Sequence, residues 1–296
     1  MPEGDTIARS ARTLAGALVG RTVTGFRSTV PPAASAALKL DILGSDVLAV
    51  DSHGKHLLMR FSSGAVLRTH MQMSGSWHLY RAGSRWQKPR GYARVVLEAG
   101  DVVAVCFSAP VVEVLSQSAA AADPALRRLG PDLLAASFDP ADALARLRAR
   151  PEPEIGVALL DQSIVAGIGN VYKSEVLFLR SVDPFARVAH LDDATLAGVI
   201  GTARREMERN LGRTERRTNH SVGSGPLWVY NRADKPCLRC AAPIRRALQG
   251  EQRRSTYWCP SCQPAAPAQG EESGTGRQPM RRSSDTEGVT HVSDTP

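Results

Sequence analysis

No stretch of this 296-residue chain approaches the roughly 20 apolar residues that a bilayer-spanning helix needs. The start also lacks the basic-then-apolar pattern of a secretion signal. Both absences predict a cytoplasmic protein with no membrane contact. Lysine is scarce: Lys39, Lys55, Lys88, Lys173 and Lys235 are the only five among 37 basic residues, so nearly all the positive charge is guanidinium, the group that forks onto phosphate oxygens. With a net charge of +8 and a pI near 9.6, the expected partner is an anion. Charge alone does not separate nucleic acid from a lipid surface. Cysteine is equally sparse and strongly clustered, with Cys106 alone and Cys237, Cys240, Cys259 and Cys262 together near the C-terminus. In a reducing compartment that grouping points to a metal rather than to disulfides.

The chain has no internal repeat, and its length and 43% hydrophobic content predict more than one domain. Ile7, Ala11, Leu14, Ala15 and Leu18 recur at helical spacing, with Asp5 or Thr6 as the expected cap and Gly20 as the stop. Short β-type segments follow, among them "SDVLAVDS", "HLLMRF" turning into "AVLRTHM", and "ARVVLEA" turning into "VVAVCF". Two hairpins without alternating helices predict an antiparallel sandwich or barrel. Composition changes around "SQSAAAADPAL", and beyond it "DPADALARLRAR", "EIGVALLDQS", "NVYKSEVLFL" and "DDATLAGVIGTARREMERNL" read as helices, the last capped by Asp192. The predicted division is 1–118, an antiparallel β domain; 119–225, a helical domain; 226–264, a cysteine-bearing unit; and 265–296, a polar tail expected to be disordered.

"CLRC" and "CPSC" are C-x-x-C pairs separated by eighteen residues, enough for a β-hairpin. Four thiolates at this spacing close a tetrahedral zinc site with no open position, so the predicted zinc is structural. Arg245, Arg246, Arg253 and Arg254 ride on the intervening segment and reach for a phosphate backbone or form a solvated basic face. Cys106, inside "VVAVCF", reads as core. "VAGIGNVYKSE" sets two glycines and Asn170 between helical patterns, a turn that binds phosphate at a helix N-terminus or merely ends and restarts a helix.

"MPEG" at the start, a lone lysine in "DSHGKHLLMRF", "VAGIGNVYKSE" and the paired C-x-x-C motifs, in this order over residues 1 to 263, resemble the formamidopyrimidine-DNA glycosylase and endonuclease VIII family. The resemblance implies an N-terminal antiparallel β-sandwich, a helix-two-turns-helix domain and a C-terminal zinc finger, with damaged DNA, double- or single-stranded, bound by a monomer. It makes Pro2 the nucleophile, exposed by removal of Met1, and Glu3 the proton shuttle. An α-amine titrates near ~8, so it needs no large perturbation to be reactive. The resemblance also makes Lys55 and Arg254 catalytic-site phosphate contacts and Asn170 a phosphate clamp. Lys55 otherwise reads as an exposed strand-end residue.

"THMQMSGSW" resembles the loop that fills the void left by an extruded nucleotide, with Gln72, Met73 and Ser74 inserting and His70 behind them. On residues alone, Met71 and Met73 fit a strand face equally well. Thr6 departs from the glutamate of many relatives, and "CFSAPVVEVL" lacks the arginine and aromatic wedge of formamidopyrimidine enzymes, which leans towards the endonuclease VIII branch. Glu175 reads as a helix-stabilising or proton-network carboxylate. The implied activity is a bifunctional glycosylase and abasic-site lyase acting on oxidised pyrimidines by β,δ-elimination. An oxidised-purine enzyme and an inactive zinc-finger DNA-binding homologue are the alternatives.

Overall fold

A computed structural model of the chain describes residues 2–221 and 224–265. Met1 and, from residue 266 onward, the tail expected to be disordered lie outside the described residues.

Helix α1 (Gly4–Leu18) buries Ile7, Ala11, Leu14 and Leu18 against two four-stranded antiparallel sheets. One sheet has the order β1 (Gly25–Ser28), β6 (Ala93–Ala99), β7 (Val102–Phe107), β5 (Ser76–Arg81); the other has β2 (Val47–His53), β3 (His56–Phe61), β4 (Ala65–His70), β8 (Val111–Ser116). Inward residues such as Val50, Leu57, Met59, Leu67, Val95, Leu97 and Cys106 form one core between them, a sandwich rather than a barrel. Cys106 packs there as expected, and burial pushes its thiol up to about 12.

Three local expectations are corrected. Neither Asp5 nor Thr6 caps α1: the helix starts at Gly4, Glu3 holds the N-cap position, and the Glu3 side chain makes no bond to its own helix. Both acids are engaged elsewhere, as described below. An unpredicted helix, α2 (Pro31–Lys39), interrupts the strands; its two prolines fit the first turn, where no N–H is needed, and Ala33 and Ala37 pack inward one turn apart. The composition change at 117–127 is two short helices, α3 (Gln117–Ala122) and α4 (Pro124–Arg127), capped by Ser116 and Asp123.

The helical part packs α5 (Pro140–Arg148), α7 (Asn170–Leu179) and α8 (Asp193–Asn210) round a second core, and Asp192 caps α8 through the Thr195 amide at 2.7 Å. The segment "EIGVALLDQS" is helical only over α6 (Ile155–Ala158). Past it, Asp161 accepts from the Ser163 amide and Gln162 accepts from the Gly167 amide, and these side-chain bonds draw the backbone into an irregular turn. Residues 170–178 of α7 are all buried, so this helix has neighbours on every face. A third cluster joins Phe178 to Val229, Ile244, Tyr257 and the cysteines around the hairpin β9 (Arg245–Gln249) and β10 (Arg254–Trp258). Among the described residues no helix is long and apolar enough to cross a membrane.

Candidate active site

The N-terminus is seated by a helix from the other half of the chain. The Glu3 carboxylate, fully buried, accepts from the backbone amides of Gly169, Val171 and Tyr172 at 3.0, 2.9 and 3.2 Å. These are orphan donors at the positive end of α7, which suit an anion. The anion at the "GIGN" turn is the chain's own Glu3, so these three amides are already engaged within the protein rather than free for a phosphate. Pro2 is half-buried immediately before this anchor. Close approach explains the glycines: the Gly4 amide donates to the Gly167 carbonyl at 2.9 Å, and a Cβ on Gly169 would lie 2.4 Å from the Glu3 carboxyl carbon.

Lys55 enters from the tight turn between β2 and β3. Gly54 takes φ +57 there, its amide donates to Asp132 Oδ2 at 2.7 Å, and Lys55 Nζ donates to the Ile168 carbonyl beside the Glu3 seat. Burial lowers the Lys55 pKa; Glu3 opposes that shift, while Arg254 and Arg216 add to it. Lys55 is therefore in electrostatic reach of both Glu3 and Arg254. Asn170 opens α7, is 8% exposed, and its side-chain amide makes no hydrogen bond to a described residue.

Arg254 begins β10, is exposed, and donates to Gln252 at 3.2 Å. The four cysteines beneath its hairpin converge, their sulfurs all within 4.8 Å of one another. The Cys237–Cys262 and Cys240–Cys259 pairs stand at 3.9 and 3.4 Å, close to the edge of a tetrahedron with metal–sulfur bonds of about 2.3 Å. The donor set fits one thiophilic ion.

Residues 71–75 form a turn between β4 and β5, not a continuing strand: Met71 is 1% exposed and anchored in the sandwich core, whereas Met73 is 66% exposed. Gln72 and Ser74 are exposed beside it, and His70 ends β4 at the base of the turn.

Family models agree with this layout. The formamidopyrimidine-DNA glycosylase N-terminal domain matches residues 1–110, and the formamidopyrimidine-DNA glycosylase H2TH domain matches residues 129–220. Over 95% of this chain and the whole of the relative, the sequence is 43% identical to "Probable endonuclease 8 2" of Streptomyces coelicolor. The chain belongs to the formamidopyrimidine-DNA glycosylase and endonuclease VIII family. It is also 39% identical, over 90% of its length and all of the relative, to "DNA-(apurinic or apyrimidinic site) lyase Nei2" of Mycolicibacterium smegmatis. The fold matches the Lactococcus lactis formamidopyrimidine-DNA glycosylase solved non-covalently bound to DNA containing an AP site, with TM-score 0.74, 21% identity, and coverage of 89% of this chain and 100% of that one.

Within this family member, three residues at the site escaped the sequence reading. Arg216 forks onto Asp5, Nε at 2.9 Å and Nη2 at 2.5 Å, stands 3.8 Å from Glu3, and lies over the Tyr172 ring at 4.9 Å. Its Nη2 also reaches Thr6 Oγ1 at 3.1 Å, so the threonine at the divergent position is a partner of that guanidinium. Tyr172 donates its hydroxyl to Asp5 at 3.1 Å. Lys173, fully buried, donates to Ser255 O at 3.2 Å and Thr256 Oγ1 at 2.6 Å, joining α7 to β10. Arg216 and Asp5 are 211 residues apart, and no local spacing signals such a pair. Glu175 is not chiefly a stabiliser of its own helix: it accepts from the Thr218 hydroxyl and from the amides of Trp228, Val229 and Tyr230 at 2.8, 2.8 and 2.7 Å.

Proposed function

We propose that this enzyme of the DNA glycosylase and abasic-site lyase class removes oxidised pyrimidines during base excision repair, using the Pro2 amine as nucleophile. The observation that carries the reading is the Glu3 carboxylate, held by three backbone amides directly behind Pro2, with Lys55 bonded to the same turn. A carboxylate fixed in this way moves protons without moving itself. A pure DNA-binding protein has no use for that arrangement.

Removal of Met1 frees the secondary amine. Its nitrogen forms a bond to C1′ of the damaged nucleotide as the C1′–base bond breaks, and Glu3 carries the amine's proton to the departing base. Opening of C1′–O4′, with a proton delivered to O4′, leaves an iminium. That cation acidifies the C2′ proton; its loss expels the 3′ phosphate, and loss of a further proton from C4′ expels the 5′ phosphate. Water then hydrolyses the adduct and frees Pro2. Lys55, Asn170 and Arg254 hold phosphates round the lesion, to which the charges of Lys55 and Arg254 and the side-chain amide of Asn170, without a partner among the described residues, are suited. Gln72, Met73 and Ser74 fill the vacated stack, with Met73 as the apolar wedge and His70 behind it.

The four cysteines hold one zinc ion, which supplies no chemistry and stiffens the hairpin bearing Arg254. We assign residues 1–118 to the catalytic sandwich, 119–225 to the helix-two-turns-helix domain and 226–264 to the zinc finger. The pyrimidine preference rests on the connection Ser108-Ala109-Pro110 after β7, which offers neither arginine nor aromatic ring, and on the endonuclease 8 names of the relatives. An 8-oxoguanine or formamidopyrimidine enzyme would need another residue for that wedge.

The test is borohydride trapping on duplex DNA containing an abasic site, with the crosslinked peptide mapped by mass spectrometry. The expected adduct is on Pro2 of chains lacking Met1. Absence of any trapped adduct rules out the mechanism, and a lesion panel then orders pyrimidines against purines.

A further inference from the structure

The exposed turn at 71–75 is tied down at three points. The Gly75 amide donates to the Met71 carbonyl at 2.8 Å, and a Cβ on Gly75 would come within 2.7 Å of the Met71 backbone. Ser74 Oγ donates to the Ser108 carbonyl at 3.1 Å. The third tie is unusual: the Gln72 amide donates to Nδ1 of His70 at 3.2 Å. Gln72 sits at φ +45, a region that a residue with a side chain seldom adopts without something to hold it.

We propose that His70 is the positioning residue of this loop, its neutral imidazole holding Gln72 in the left-handed conformation that presents Met73. The inference rests on the reading of residues 72–74 as the void-filling segment, and assigns His70 a role in the free protein, before any DNA contact. A backbone N–H only donates, so the bond requires a lone pair on Nδ1 and the ring proton on Nε2. Protonation would set two donors against each other and release the tie.

The surroundings keep the ring neutral. His56, opposite on β3, meets His70 edge to face at 4.7 Å between ring centres, with its own Nδ1 buried and without a partner among the described residues. Lys55 on the β2–β3 turn and Arg68 on β4 face the pair; Arg68 is itself bonded to Glu113 on β8 and Asp123 before α4. His53 on β2 and Asp123 act on His56 from further away. Burial first, then Lys55 and Arg68, hold His70 below the ordinary imidazole value. The loop is therefore latched at neutral pH and opens only at a pH below the ordinary imidazole range.

His70→Asn and His70→Phe separate the latch from a contact made by the ring. Asparagine places an oxygen two bonds beyond Cβ, as Nδ1 is, and accepts the same bond two residues on without titrating. Phenylalanine keeps the bulk and loses the acceptor. In the free metal-loaded protein, amide hydrogen exchange by NMR should show Gln72 protected in wild type and His70→Asn, and exchanging at least tenfold faster in His70→Phe at equal melting temperature. As the pH is lowered stepwise below the ordinary imidazole range, the protection should be lost in wild type, later than a free imidazole would titrate, and kept in His70→Asn. Equal exchange in all three proteins, or equal loss in both variants, overturns the latch. Should His70→Phe not fold, the pH comparison between wild type and His70→Asn decides alone. A second measurement uses duplex DNA with a tetrahydrofuran site facing 2-aminopurine: the fluorescence rise on insertion should survive in His70→Asn and fall at least tenfold in rate in His70→Phe. Wild type that traps no covalent adduct would count against the proposed function while leaving the exchange result to judge the latch.

Discussion

Gly169 stands where no side chain fits. Its replacement by alanine would push a methyl group into the Glu3 carboxyl carbon, at 2.4 Å, and the amide of residue 169 is itself one of the three donors holding that carboxylate. The carboxylate must shift or the turn must open. Gly169→Ala is expected to cost about 1–3 kcal/mol of stability, as overpacking does. It should also slow abasic-site cleavage by roughly 100-fold, the scale of a 1 Å misplacement at a reacting centre. Urea unfolding and a gel assay measure the two effects. Lys173 makes a different prediction. Burial, above all, brings its pKa down to about 8, against Glu3, while Arg254 pushes the same way as burial. The unfolded chain binds this proton more tightly than the folded one. Charge on Lys173 therefore destabilises the fold below pH 8, and stability attributable to this group rises between pH 8 and the free lysine value near ~10.4. The span is on the order of 3 kcal/mol. Denaturation of wild type and Lys173→Met at pH 7 to 10 should show the wild type gaining relative to the variant; a flat difference would contradict the burial argument. The residues legible in the sequence are those whose chemistry is local: Pro2 and Glu3 at a terminus, Lys55 as a rare lysine, and the cysteines by spacing. Arg216 and Lys173 act on partners remote in the chain, which neither composition nor periodicity can pair.

At the scale of elements, α7 links the parts of the site. Its first turn seats the N-terminus, Lys173 reaches β10, and Glu175 accepts three amides from residues 228–230. Removing the Glu175 carboxylate leaves those buried donors without partners. Glu175→Ala is expected to destabilise the protein by about 3–5 kcal/mol, more than the loss of an exposed helical carboxylate would. Thermal unfolding against Glu208→Ala, whose carboxylate is exposed on α8, provides the comparison. The strands named from sequence form where alternation and turn residues agree, as in β3 and β4. Helix α2 was hidden because two prolines in a β-rich neighbourhood read as a break. Helix α6 proved short because side chains after it compete for the backbone, an effect that apolar spacing does not register.

For the whole molecule, the sandwich, the buried α7 and the four-sulfur knuckle place Lys55 and Arg254 within electrostatic reach of each other although they are remote in the sequence. The expected consequence is a DNA affinity that depends on both salt and metal. Arg254→Ala should lower the slope of log affinity against log salt by about 1 and weaken binding evenly across sequences. Chelation of the metal should produce at least that loss by releasing the whole hairpin; filter binding across a salt series checks both. Unchanged binding after chelation would remove the hairpin from the interface.

The Glu3 anchor also orders events during synthesis. Its three donors lie up to 169 residues downstream, so at roughly 5–20 residues per second the N-terminus waits about 10–30 s on the ribosome before its seat exists. During that interval the Glu3 carboxylate has none of the amides that hold it in the finished fold. Once α7 emerges and binds Glu3, residue 2 is half-enclosed and its neighbour fully so. The N-terminus is thus fixed last, only in a chain long enough to have built the surface that receives it.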